Sequence, residues 1–128
     1  MIDDMGIFRT TIAVAHFVHP ELRRELADVM VDTGSEFNWI PRALLSELRV
    51  QPERTESFET ADGRVLHREF GFARIFAADR SAITAVVFAE PTDMILLGAV
   101  GLETLNLRVD LGRKQLVPAG PVPVAKAA

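Results

Sequence analysis

The chain has 128 residues, of which 14 are Lys or Arg and 18 are Asp or Glu, for a net charge of −4. That length fits one domain, at about 100–200 residues to a core. The pI near 5.3 offers no basic footprint for nucleic acid. Cysteine is absent, which excludes a disulfide scaffold, a thiol nucleophile, an iron–sulfur site and a cysteine-ligated zinc. The mean hydropathy of +0.17 is high for so small a domain and points to apolar surface covered by a second chain. The start, Met1-Ile2-Asp3-Asp4, carries acid where a signal peptide carries base. The most apolar stretch, Ala82 to Val100, is broken by Glu90, Pro91 and Asp93, whereas a bilayer span needs about 20 near-continuous apolar residues. The expectation is a cytoplasmic protein with no nucleic-acid or membrane partner.

In chain order, Gly6 to Val18 is rich in Ile, Thr, Val and Phe and predicts a strand that His19-Pro20 ends. Glu21 to Val31 opens in a helix-like way, but Val29-Met30-Val31 stops at Asp32-Thr33-Gly34-Ser35 as a buried strand end does. We therefore expect a strand over Leu26–Val31, with the charged residues before it forming a hairpin. Pro41 to Leu48 predicts a short helix, with proline in its first turn and Leu44, Leu45 and Leu48 on one face. Phe58–Thr60 and Val65–Phe70 flank Ala61-Asp62-Gly63-Arg64, and Asp-Gly between strand-like runs signals a hairpin. Phe72–Ala77 and Ile83–Ala89 predict two more strands around Asp79-Arg80-Ser81. After the apolar run Met94–Leu97, ended by Gly98, Val100–Leu105 suits a short helix, and Leu107–Asp110 and Gln115–Val117 suit two last strands. Many short strands with frequent turn signals predict an all-β sandwich or barrel. The domain is expected over residues 1–118, followed by a flexible Pro/Ala-rich tail over residues 119–128.

The informative segment is Val29 to Ser35, an apolar run that places a carboxylate at the mouth of a buried strand. A D-T-G tripeptide alone occurs by chance in roughly a few per cent of chains this long. Together with the hairpin and the later Ile95-Leu96-Leu97-Gly98 it is far less accidental. On these residues the sequence resembles the retropepsin-like aspartic proteases, closest to their small prokaryotic members, from about Ile7 to Pro118. The resemblance implies a closed acid-protease-type barrel with one or two short helices, active as a homodimer. It implies that Asp32 is the catalytic aspartate and that Thr33 hydrogen-bonds across the dimer axis. Gly34 would present its N–H to the carboxylate and its carbonyl to substrate, and Ser35 would support the outer carboxylate oxygen. Ala61, Asp62, Gly63 and Arg64 would form the tip of a flap over a peptide or protein substrate. Leu96, Leu97 and Gly98 would support the active-site loop from below. The chain departs from the viral members in lacking the arginine just after Gly98 and in its short, charged flap tip.

Paired aspartates hydrolyse a peptide bond with no metal or cofactor, one acting as base on a water while the other polarises the carbonyl. The chain has one D-T-G, so the pair needs two copies. A dimeric peptide- or protein-binding module of the same fold is the alternative, and Asp32→Asn separates the two. A metal-dependent hydrolase built on His16 and His19 is a third reading, although i, i+3 residues of a strand point to opposite faces. His67 reads as solvated, Trp39 as core or dimer packing, and Phe70, Phe72, Phe76 and Phe88 as barrel filling. No G-x-S-x-G elbow supports a serine nucleophile.

Overall fold

A computed structural model describes residues 7–125. In chain order they form β1 (Ile7–Ala15), β2 (Arg23–Asp32), β3 (Asn38–Pro41), α1 (Arg42–Glu47), β4 (Arg54–Glu59), β5 (Val65–Ala77), β6 (Arg80–Ala89), β7 (Leu96–Leu97), α2 (Ala99–Leu105), β8 (Leu107–Asp110) and β9 (Gln115–Pro118). The chain is thus mostly β with two short helices, as its strand-and-turn pattern predicts. The predicted strand start at Gly6 and the last three residues of the expected tail lie outside the described residues. Among the described residues no helix is long and apolar enough to cross a membrane.

Seven strands form one sheet in the order β1-β2-β7-β3-β6-β5-β4, and β1 also pairs with β5 through Ala13↔Phe76 to Ala15↔Arg74. β8 and β9 pair separately as a ribbon. Past its end, the Ala119 N–H reaches the Asn106 carbonyl at 2.9 Å and the Asn106 amide reaches the Gly120 carbonyl at 2.8 Å.

The structure differs from the sequence-based expectation in several places, each with a physical reason. β2 begins at Arg23 rather than Leu26, because the charged residues Arg23–Glu25 pair with Val14, Ala13 and their neighbours on β1 while their side chains stay in water. A bulge near Asp28 (φ 58°) then changes the register, and beyond it Val29, Met30 and Val31 are all buried. β5 is one strand across Gly71, because its pairing with β6 continues unbroken from Phe70↔Val87 to Ala77↔Arg80. β3 was not foreseen: it is four residues long and draws its pairing from β6 and β7, both distant in sequence. Of the four phenylalanines expected to fill the interior, Phe70 and Phe88 do so. Phe72 is exposed, and Phe76 lies half-buried under the guanidinium of Arg23.

The β5–β6 turn is Ala78–Asp79 rather than Asp79–Ser81, and both of its residues have positive φ, 50° and 64°. That is the geometry of a two-residue type I′ hairpin, which favours Asn-Gly. Left-handed backbone costs an ordinary residue about 1–2 kcal/mol. The double substitution Ala78→Asn/Asp79→Gly is therefore expected to stabilise the protein by about 1 kcal/mol, read as a higher urea midpoint with unchanged slope.

The main core gathers Ile12, Val14, Val29, Val31, Ile40, Leu45, Ile75, Val86, Phe88 and Leu97, each almost wholly buried. A smaller cluster of Phe70, Ala85 and Val87 is extended by half-buried Phe37, Trp39 and Phe58. The first cluster anchors the strand ends that carry the candidate site. The second forms the floor of the cleft beside it.

Candidate active site

Asp32 is the last residue of β2, one step beyond Val31, which is fully buried. Burying one such side chain contributes about 1.5–3 kcal/mol, so the strand end is rigidly placed and the carboxylate emerges at a fixed point. The chain then turns at Thr33-Gly34, closed by the Ser35 N–H donating to the Asp32 carbonyl at 3.1 Å. Within the turn the Gly34 N–H donates to Asp32 Oδ1 at 2.9 Å, and the Ser35 hydroxyl donates to Asp32 Oδ2 at 3.2 Å. Each carboxylate oxygen is thus held by its own loop. Thr33 and Gly34 are exposed.

The loop is braced from behind by the second segment that the sequence singled out. β7 inserts between β2 and β3, with Met30↔Leu96 and Val31↔Leu97 parallel on one side and Trp39↔Leu96 antiparallel on the other. α2 then starts against the turn: the Ala99 N–H donates to the Ser35 carbonyl at 2.7 Å, and the Val100 N–H to the Glu36 carbonyl at 2.8 Å. These contacts require glycine at 98. A Cβ there would sit 2.7 Å from the Ser35 carbonyl oxygen and closer still to that of Phe37, and backbone cannot step aside.

One residue of this brace went unremarked in the sequence. Asn38 is fully buried, and its Oδ1 accepts the Gly98 N–H at 2.9 Å. Its Nδ2 donates to the Ala85 carbonyl at 2.8 Å and to the Thr84 hydroxyl at 3.3 Å. The signal was there: in Phe37-Asn38-Trp39-Ile40, Asn38 shares the inward face with Ile40, and an inward amide needs partners.

The β4–β5 hairpin rises beside the loop, paired Phe58↔Leu66 and Glu59↔Val65. Its tip is closed by the Thr60 N–H to the Arg64 carbonyl at 2.8 Å and the Gly63 N–H to the Thr60 carbonyl at 2.9 Å, with Gly63 at φ 87°. The Thr60 hydroxyl holds the Asp62 carboxyl below the usual carboxylate range, helped by the Arg64 N–H, and Arg64 pairs with Asp62 at 3.2 Å. The charges of the tip are therefore matched to each other.

Between loop and hairpin lies a cleft of about 640 Å³. Asp32, Gly34, Ser35, Ala61 and Leu96 line it, with Phe37, Trp39, Phe58, Leu66 and Met94 as apolar walls. Trp39 meets Phe58 edge-on at 5.3 Å, so it joins the floor to the flap arm. Asp62, Gly63, Arg64, Leu97 and Gly98 do not line the cleft: the first three cap the hairpin and the last two lie beneath the loop. Thr33 opens onto a neighbouring groove beside Ala99 and Val100.

A family model described as aspartyl protease matches residues 24–100. The chain belongs to the aspartyl protease family. The match runs from the start of β2 through the Asp32 loop and the hairpin to the first turn of α2, so it spans every segment that builds the cleft. No curated protein matches the chain. Aspartyl proteases work through paired carboxylates, and Asp32 is a carboxylate that lines this cleft. Among the described residues, no group of three or more His, Cys, Asp or Glu side chains is placed to hold a metal ion. His16 is engaged elsewhere, its Nδ1 accepting the N–H groups of Val18 at 3.0 Å and His19 at 3.2 Å in the β1–β2 turn.

Proposed function

We propose that this aspartyl protease is a retropepsin-like endopeptidase that acts as a homodimer, with Asp32 of two copies meeting at the dimer axis. The observation that carries this reading is a carboxylate with both oxygens held by its own loop, opening onto an apolar cleft under a β-hairpin. Two like charges about 3 Å apart cannot both ionise, so the pair shares one proton. The ionised member takes a proton from water as the water oxygen attacks the scissile carbonyl carbon. The protonated member donates a hydrogen bond to the developing oxyanion. Collapse of the tetrahedral species breaks the C–N bond, and the proton goes to the leaving nitrogen. No cofactor or metal enters the step.

The single D-T-G and the exposure of Thr33 at the tip of an otherwise pinned loop support a second copy completing the site. The run of pairings from β1 through β2, β7, β3, β6 and β5 back to β1 supports a closed barrel. The substrate would be an extended peptide with apolar side chains at the cleaved bond, taken up by strand-like pairing beneath Ala61–Arg64. We place the catalytic domain at residues 1–118, with residues 119–128 as a tail, and the protein in the cytoplasm.

Mixing tests the dimer. Wild-type chain is combined with increasing fractions of Asp32→Asn chain at saturating total concentration and allowed to exchange. Random pairing makes the doubly wild-type dimer scale as the square of the wild-type fraction, so an equal mixture should retain about a quarter of the activity. A linear fall to one half would mean that each chain works alone and would sink the shared-dyad reading.

A further inference from the structure

Arg68 lies on β5, the second arm of the hairpin, and Asp93 lies in the loop between β6 and β7. Their side chains are only 15% and 9% exposed. Arg68 Nε donates to Asp93 Oδ2 at 2.7 Å and Nη2 to Oδ1 at 2.9 Å, a fork-on-fork pair, while Nη1 donates to the His67 carbonyl at 2.9 Å. Asp93 also closes its own loop: its Oδ2 accepts the Glu90 N–H at 2.8 Å, and its N–H donates to the Glu90 carbonyl at 2.9 Å. Asp93 itself borders the cleft beside Met94, and Arg68 stands behind Leu66. Met94 follows Asp93 and is 57% exposed. Leu66 precedes Arg68 by two residues and so shares its face of β5.

We propose that the Arg68–Asp93 pair sets the spacing between the Met94 and Leu66 walls, and thereby selects the size of the apolar peptide side chain that the cleft accepts. The inference rests on the peptidase reading of the cleft and makes these two residues positioning residues for specificity. Its physical basis is that Glu90–Met94 has no strand ladder of its own, so side chains link it to the hairpin, while the Ile95 carbonyl accepts the Met30 N–H at 3.3 Å. Asp93 is the main partner of Arg68, with Glu90 adding a weaker attraction and Arg42 opposing it. The Glu90 carboxylate is engaged by Arg42 Nε at 2.8 Å, and Arg42 also pairs with Glu69. The Arg68 guanidinium holds the Asp93 carboxyl below the usual carboxylate range, against the opposing effect of burial, with the Glu90 N–H assisting. A carboxyl with a depressed folded-state pKa keeps its contribution until the pH falls through that depressed value. The clamp thus stays ionised under mildly acidic conditions.

The test uses the full chain and two pairs of peptides that differ only in Phe or Val before the central bond. One pair is cleavable, and the other carries a reduced –CH₂–NH– link in place of the amide. Binding of the reduced pair is measured by calorimetry and cleavage of the other pair by initial rates. Asp93→Asn, which loses the charge and one fork, should change the Phe-to-Val ratio of affinities roughly tenfold, the scale on which a pocket discriminates apolar side chains. The same change should appear in KM, with kcat for the better substrate within about twofold. Arg68→Lys, which keeps the charge but not the fork, should fall between. Met94→Ala, which keeps the pair and removes the wall, should shift the ratio by a similar factor. If Asp93→Asn does not fold, the last two variants carry the comparison. Folded Asp93 and Arg68 variants with an unchanged ratio, or a uniform loss on both peptides, overturn the proposal. Wild type that binds the reduced peptides selectively but cleaves neither substrate overturns the peptidase reading alone, and the ratio still decides the role of the pair. Wild type that binds neither peptide overturns both.

Discussion

Replacing Asp32 with asparagine should abolish peptide cleavage, by at least about a thousandfold, while leaving fold and stability nearly intact. Asparagine keeps a side-chain oxygen to accept the Gly34 N–H, and the Ser35 hydroxyl can accept from the new amide instead of donating to Oδ2. The loop therefore keeps its bonds. What disappears is a group able to take a proton from water, and general base catalysis alone is worth about 10²–10⁴-fold. The dyad disappears with it, so the loss should sit at or above the middle of that range. Cleavage of an unfolded protein substrate is measured between pH 4 and pH 7 for wild type and variant, with the dimer fraction followed by sedimentation. The wild-type profile should be a bell whose limbs belong to the carboxyl pair as a whole. A variant that folds, dimerises and still cleaves would remove Asp32 from the chemistry. A folded wild-type dimer that cleaves nothing at any pH would favour a binding module of the same fold.

The candidate site was legible in the sequence where its chemistry is local. Asp32, Gly34 and Ser35 are three or fewer residues apart, and the hydrogen bonds that orient the carboxylate stay within that span. The Asp62-Gly63 turn was legible for the same reason, since a residue near φ 87° leaves its mark as glycine. Leu96-Leu97-Gly98 could be placed only by resemblance, because its two strand partners lie in other parts of the chain. What stayed hidden was long-range. Asn38 finds Thr84 46 positions away and Gly98 60 positions away. Arg68 and Asp93 are 25 apart and nothing in the local sequence links them, yet together they close a largely buried pair. The first half of β2 was misread for the opposite reason. Its side chains face water and resemble a helical turn, and only the hydrogen bonds to β1 make it a strand.

The second large effect is expected at Asn38, because the active-site brace converges on one buried amide. Asn38→Leu preserves volume but leaves the Gly98 N–H without its acceptor and the Ala85 carbonyl without one of its donors. At about 1–3 kcal/mol for each buried group deprived of a partner, the cost should be about 3 kcal/mol, read as a lower urea midpoint. Asn38→Asp gives a sharper test because its penalty depends on pH. An aspartate there still accepts the Gly98 N–H, but its second oxygen faces the Ala85 carbonyl, and the position is fully buried. Burial without a cation raises the folded-state pKa of such a carboxyl well above its unfolded value. The folded state then binds the extra proton, so stability rises as pH falls. Each tenfold gain in the folded state's proton affinity is worth about 1.4 kcal/mol, so the variant should be about 3 kcal/mol or more worse off relative to wild type at pH 7.5 than at pH 4.5. Urea unfolding at the two pH values measures it directly. A penalty equal at both would mean that the carboxylate finds water or a cation, and that the Gly98 turn is not sealed against solvent. A pH-dependent penalty would show that the loop presenting Asp32 rests on a dry polar contact, which lets so short a turn hold a carboxylate in one orientation.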